Sequence, residues 1–417
     1  MGDSGAMDAI QFRHSVPGYL LSRSIYRWAR GAWSSRIAPI SWTRLPRPRA
    51  QRDGWVRLRV RRSGICGTDA SLLTGSDSLF LEPEATYPFV PGHELVGEVL
   101  DSEGERGLPA GLQRDARVAV WAVLGCAARG STEPCPACAA GWEGQCERRG
   151  DAWPGRGLGI GFSRETGGGW SEECLAHVAQ VWPLPDSVAD DDAVLLDPAA
   201  TALAALLRTQ DPGPRDTLVI GGGTIGLLCM RLAKALGLPG SWTIVVRHEF
   251  QRAWARRSGH AAVRFAADEE FRGWLQERGA RSTRITGYGS VTRGVFDRVI
   301  VAAASRQALG WALDAAAPRA VLALVAAPDS IPRFDPTPVW YRELTIRGIY
   351  DYGPVPWEGG SRHPYSVLIP MLSRGELDLR DLVTHSFRLA EWRKALDTAV
   401  RRDRTGAIKV VFRPGRS

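Results

Sequence analysis

Two short stretches carry residues suited to hold a metal and activate an oxygen. "GICGTD", Gly64 to Asp69, offers the thiol of Cys66, and "FVPGHELVGEV", Phe89 to Val99, offers the imidazole of His93 with Glu94 beside it. A thiolate is a soft ligand and an imidazole a borderline one, a pair that suits Zn²⁺; a catalytic zinc needs three protein ligands and one position left open. A second group follows. Cys126, Cys135, Cys138 and Cys146 fall within twenty-one residues, in a chain of seven cysteines. Clustering of this kind, in a chain whose start does not read as a secretory signal, points to metal and not to disulfides.

A third stretch handles phosphate. "VIGGGTIG" places Gly221, Gly223 and Gly226 at G-x-G-x-x-G spacing, with Thr224 and Ile225 opening the helix that follows. The first glycine makes the tight turn, the second lets the backbone approach a pyrophosphate, and the third lets the helix pack close, its N-terminus facing the phosphates. At the end of the next strand, in "SWTIVVRHEFQRAWARRSG", NAD-binding chains place an acidic residue for the ribose 2′-hydroxyl. Here that place holds Arg247, followed by His248, with Arg252 one helical turn on. A guanidinium matches a 2′-phosphate, so NADP is the expected cofactor and NAD the alternative.

The elements that position these groups follow from periodicity. Residues 55 to 100 alternate "WVRLRVRRSGICG" with "ELVGEVL", punctuated by Gly and Pro, which reads as short strands of an antiparallel, barrel-like domain. From Pro198 the pattern becomes helix, strand, helix, strand through "ATALAALLR", "DTLVIGGG", "TIGLLCMRLAKALG" and "SWTIVV", continued by "FDRVIVAA" and "AVLALVAAP". That alternation implies a doubly wound parallel sheet. The expected division is a catalytic domain over 1–197, a dinucleotide domain inserted over 198–342, and a return to the first domain over 343–417.

The 417 residues allow two or three domains, and 44% hydrophobic with 24% charged residues is the composition of a soluble globular chain. No apolar run reaches the ~20 residues that span a bilayer; the default location is cytoplasmic, with no membrane and no nucleic-acid partner expected. The formal charge of +8 is concentrated: residues 1–62 hold thirteen arginines against three aspartates, and the rest is slightly acidic. Within that stretch "YLLSRSIYRWARGAWSSR" reads as a solvated arm or strand edge, a basic amphipathic segment, or the start of a transit peptide. Three lysines against fifty arginines mark a chain-wide bias.

With "GICGTD", "GHE", a Cys-rich lobe and an inserted nucleotide domain in that order, the chain resembles the zinc-dependent medium-chain alcohol dehydrogenases, nearest to the polyol and threonine dehydrogenases, over about residues 40 to 415. The resemblance implies a GroES-like β-barrel catalytic domain with a Rossmann domain inserted. It implies Cys66 and His93 as catalytic zinc ligands, Glu94 as a carboxylate that binds the metal or exchanges with water, and Asp197 at the fourth position, where relatives carry Glu or Cys. Thr68 would take the substrate's hydroxyl proton, and Asp69 would stand behind His93. The implied reaction is hydride transfer between a nicotinamide cofactor and an alcohol or carbonyl of a small polar molecule such as a polyol, sugar or amino alcohol. A homodimer or homotetramer is implied as well.

Two positions depart from the pattern. Polyol-type relatives often carry a relay His five residues after the ligand Cys, where this chain has Ser71; serine is no base near pH 7, so the relay would end in water or a cofactor ribose hydroxyl. In the C-x2-C-x2-C-x7-C pattern of the structural zinc, Cys135, Cys138 and Cys146 match, but Thr132 stands first. Cys126 is expected to supply the missing thiolate if its loop folds back; the alternative is a lobe without metal. Two other functions remain open at this level: a zinc-free quinone or enoyl reductase, and a catalytically silent nucleotide-binding protein.

Overall fold

The computed structural model describes residues 5–18, 38–49, 52–75, 79–103, 112–150, 153–210, 216–286, 289–326, 334–350 and 352–415. The basic stretch Tyr19 to Arg36 lies outside the described residues. The chain forms two compact units, one of residues 1–197 and 369–417, the other of 198–368.

The first unit is built on a seven-stranded, mainly antiparallel sheet around strand Trp55–Gly64. Val56, Leu58 and Val60 alternate into the core, whereas Arg57, Arg59 and Arg61 face outward and pair with Asp101, Glu98 and Asp190. Part of the N-terminal positive excess is thus cross-strand pairing, each exposed pair contributing roughly 0.2–1 kcal/mol. Strand Leu95–Glu103 runs antiparallel beside it, with Ser63 opposite Leu95, and on the other flank Val411 of strand Lys409–Arg413 lies opposite Gly64. The end of one strand therefore meets the start of the next. Cys66, His93 and Lys409, far apart in sequence, arrive at the same edge of the sheet.

The second unit is a six-stranded parallel sheet in the order Ala261–Val263, Ser241–Val245, Asp216–Ile220, Phe296–Val301, Ala316–Leu324 and Thr345–Gly348. That order, with crossover helices, is the doubly wound dinucleotide-type arrangement. Its last strand corrects the sequence-based boundary: the return to the first unit comes after residue 368 and not at 343. "ELTIRGIY" mixes polar and apolar residues because Thr345–Gly348 is an exposed edge strand, and such alternation imitates an antiparallel strand.

Candidate metal centres and nucleotide loop

Cys66 ends the loop after strand Trp55–Gly64 and is the N-cap of helix Gly67–Thr74. Asp69 secures this start: its Oδ2 accepts from Cys66 N at 2.8 Å, while its Oδ1 faces His93 Nδ1 at 3.7 Å. Thr68 is exposed one residue earlier, and its Oγ1 lies 3.7 Å from Cys66 Sγ. His93 precedes strand Leu95–Glu103 and stacks on Phe162 with ring centroids 5.1 Å apart. Gly64 is required here by close approach, since a Cβ on it would overlap Glu94 Oε2.

Ligand atoms of Cys66, His93 and Glu94 all lie within 4.8 Å of one another. The residues fit a cation on two further observations. Asp69 Oδ1 and His93 Nδ1 are buried without a hydrogen-bond partner, one step from the carboxylate–imidazole contact that orients a ligand histidine. The potential is also negative: burial opposes a charge on His93, yet Asp69, Cys66 and Asp197 together hold its pKa well above the usual value. Asp197, in the first turn of helix Leu196–Leu207, exerts this field but lies outside the three-residue cluster. Its side chain is one methylene shorter than the Glu of the family pattern.

Glu94, expected to bind the metal or exchange with water, belongs to this cluster and also has a buried partner. It is buried, and both oxygens bond Lys409 Nζ, Oε1 at 2.6 Å and Oε2 closer still; the same ammonium reaches the Ile65 carbonyl at 3.4 Å. Sequence reasoning missed Lys409. The available signal was its rarity, as one of three lysines in a chain of fifty arginines. Removing one partner of a buried pair leaves an uncompensated charge, so Lys409→Met is expected to lower unfolding free energy by about 3–5 kcal/mol. Denaturant titration measures it, and a loss below about 1 kcal/mol would mean that the pair contributes nothing net.

In the lobe, the thiols of Cys126, Cys135, Cys138 and Cys146 also lie within 4.8 Å of one another. The loop after Cys126 folds back through Arg129 N and Ser131 N, both donating to the Cys126 carbonyl, and this brings Cys126 Sγ to 3.7 Å from Cys146 Sγ. Backbone amides converge on the sulfurs: Cys135 N on Cys126 Sγ at 3.3 Å, Cys126 N on Cys138 Sγ at 3.4 Å, and Glu147 N on Cys135 Sγ at 3.4 Å. Burial alone would raise the Cys135 pKa, but the amides of Glu147 and Cys138, with the Cys138 and Cys126 side chains, bring that thiol down to about 6, whereas burial pushes the Cys138 and Cys146 thiols up. Amide donors stabilise thiolate, the form that binds metal. Cys126, not Thr132, completes the four.

In the second unit, Gly221 adopts φ +122° and donates its N–H to the Val245 carbonyl at 2.9 Å; a Cβ on Gly226 would overlap the Gly221 carbonyl oxygen. Helix Thr224–Ala235 starts from Gly223 with no side-chain cap, and Ile225 is half-buried in its first turn. Arg247 is exposed beyond strand Ser241–Val245. Its amide and that of His248 both donate to Gln251 Oε1 at 3.1 Å, which fixes the turn. Arg252, expected to help bind a 2′-phosphate, instead reaches Glu249 at 3.3 Å, and Arg264 approaches the same carboxylate at 3.7 Å. Glu249, the acid of this turn, is thus approached by two arginines, while Arg247 is exposed at the strand end.

Residues 52–186 match the alcohol dehydrogenase GroES-like domain family, and residues 224–365 the zinc-binding dehydrogenase family. L-Threonine 3-dehydrogenase of Anaeromyxobacter sp. (strain Fw109-5) is 26% identical over 376 residues, 89% of this chain and 93% of that one. Two solved structures share the fold. (2R,3R)-Butanediol dehydrogenase from Bacillus subtilis has a TM-score of 0.70 and 18% identity, covering 98% of this chain and 100% of its own. A zinc-binding dehydrogenase from Sinorhizobium meliloti bound to NADP has a TM-score of 0.69 and 21% identity, covering 98% and 99%. The chain belongs to the zinc-dependent medium-chain alcohol dehydrogenases. It is an NAD(P)-dependent alcohol oxidoreductase. No helix among the described residues is long and apolar enough to cross a membrane.

Proposed function

We propose that the chain interconverts an alcohol and a carbonyl on a small polar molecule with NADP as preferred cofactor, at a zinc held by Cys66 and His93 with Asp197 and Glu94 as the nearby carboxylates. The observation that carries the reading is the Cys66–His93–Glu94 cluster with the unpartnered Asp69–His93 contact behind it. When bound there, zinc supplies Lewis-acid polarisation of the substrate oxygen and the nicotinamide supplies the hydride acceptor or donor. Asp69 orients the His93 ring through Nδ1, and Thr68 Oγ1, exposed beside Cys66, accepts the hydroxyl proton and passes it to water or a ribose hydroxyl, because Ser71 offers no base. Lys409 holds the buried Glu94 side chain in place through both of its oxygens. Zinc analysis joined to a screen of alcohols, sugars and amino alcohols, read by cofactor absorbance, tests the reading; a chain without zinc, or one turning over enones but no alcohol, overturns it.

The four lobe thiols are proposed to hold a second, structural zinc. Cys126→Ser is then expected to lower zinc content by about one per chain and to destabilise the protein without changing substrate preference, since a closed site contributes folding energy directly. Unchanged zinc content would make Cys126 a bystander.

A homo-oligomer is proposed through the edge of the parallel sheet on which, among the described residues, no further strand pairs. All four residues of Thr345–Gly348 are exposed, and Trp340 (79% exposed), Tyr341 and Tyr350 flank them. An edge with free ladder groups and aromatic side chains is a liability unless covered, and a second copy covers it symmetrically. Sedimentation is expected to show a dimer or tetramer that Ile346→Lys weakens; a wild-type monomer overturns the proposal.

A further inference from the structure

Arg129 lies in the stretch between Cys126 and Cys135, and it is buried. Its guanidinium meets three backbone carbonyls: Nε donates to Leu124 at 3.0 Å, Nη1 to Gly155 at 2.5 Å and Nη2 to Gly157 at 2.9 Å. Such charge-assisted bonds are roughly twice as strong as neutral ones. The thiol lobe thus grips one end of the segment 155–163. The other end lies on His93. Gly161 passes flush against that backbone, since a Cβ on it would sit 3.0 Å from the Gly92 carbonyl carbon and 3.1 Å from His93 N. The next residue, Phe162, stacks on the His93 imidazole with centroids 5.1 Å apart, and its ring also meets buried Phe89 at 6.0 Å. Little slack separates the two ends. A Cβ on Gly157 would come within 2.8 Å of the Phe162 carbonyl oxygen, Ser163 Oγ donates to the Pro154 carbonyl at 2.7 Å, and Ile160 N donates to the Ala122 carbonyl at 2.8 Å.

We propose that Arg129 is a positioning residue for the Cys66–His93 centre, acting through the segment 155–163 and the Phe162 ring, so that the thiol lobe and the open metal site are energetically coupled. Asp69 faces the ring edge at Nδ1 and fixes which way the imidazole points. Phe162 faces the ring plane, 30° from parallel, and fixes its tilt. A ligand histidine needs both to aim its metal-binding nitrogen, and groups that orient such a ligand are typically worth 10–100-fold in metal affinity or activity. The four thiols close the Cys126 loop, the loop holds Arg129 inward, and Arg129 holds the strap whose far end bears on His93.

The inference rests on the reading of Cys66 and His93 as metal ligands, and cobalt tests it without turnover. Cobalt(II) is placed at the open site after mild chelation; its visible absorption reports ligand geometry, and its release to a chelator reports how firmly it is held. Wild type is compared with Arg129→Gln, Arg129→Lys, Phe162→Leu and the double variant Arg129→Gln/Phe162→Leu. Arg129→Gln and Phe162→Leu are each expected to speed cobalt release by about tenfold and to shift its spectrum, with Arg129→Lys recovering part of the loss. The double variant should release cobalt no faster than the faster single one, because residues that act through one another are not additive. In the zinc enzyme kcat should fall while the cofactor KM holds. Arg129→Gln that lowers thermal stability but leaves cobalt release and spectrum at their wild-type values overturns the proposal, as do effects that multiply in the double variant. Phe162→Leu leaves the lobe untouched, so unchanged cobalt release in that variant overturns it even where Arg129→Gln does not fold. Wild-type protein that takes up no cobalt at Cys66 and His93 defeats the metal reading and this inference with it.

Discussion

Cys66→Ala and His93→Ala are each expected to lower turnover by roughly a thousandfold or more and to remove one zinc per chain, with far-UV circular dichroism unchanged. The effect is large because the site is open and has few ligands. Losing one loses both the ion and the charge that stabilises developing negative charge on the substrate oxygen. The fold should survive, since neither side chain builds the sheet: Cys66 lies in the loop beyond Gly64, and His93 precedes Leu95, while the core of that sheet is carried by residues such as Val56, Leu58, Val60 and Val99. Metal analysis beside steady-state kinetics makes the check. A variant of either residue that keeps wild-type turnover would end the zinc mechanism, whereas lost zinc with lost secondary structure would make the site structural.

Arg247→Asp is expected to weaken NADP binding by on the order of a few kcal/mol and to shift preference toward NAD, because one change removes a charge-assisted contact and adds a repulsive charge. Arg247 is exposed at the end of strand Ser241–Val245, its turn fixed by Gln251 Oε1, so the substitution alters charge without disturbing the backbone. Glu249 would not substitute as an NAD-type acid, since Arg252 and Arg264 both approach its carboxylate. Initial rates with both cofactors decide the matter. Wild-type protein with equal or better kcat/KM for NAD would leave Arg247 as one more surface charge among fifty arginines.

Much of this molecule was legible in the chain. The doubly wound unit was readable because each strand and helix declares itself locally, as in "DTLVIGGG" followed by "TIGLLCMRLAKALG", now strand Asp216–Ile220 and helix Thr224–Ala235. Cys66 and His93 were readable because a thiol and an imidazole are zinc donors and because "GICGTD", "GHE", a Cys-rich lobe and the nucleotide domain follow in the family's order. By itself, then, the sequence determined the element types, the glycine loop, the thiol and imidazole donors and the arginine at the second strand's end, all properties of neighbouring residues. Tertiary structure alone decided the rest. Lys409 meets Glu94 only because strand Lys409–Arg413 pairs beside Trp55–Gly64, and nothing local in "GAIKVVF" announces that contact. Cys126 joins the other three thiols only because its loop turns back, and Thr345–Gly348 belongs to the parallel sheet only through pairing with Ala316–Leu324. Periodicity and spacing report which face of an element is apolar and how its backbone turns. They carry no information on which distant element covers that face, and it is this long-range pairing that selects the partner of a buried charge.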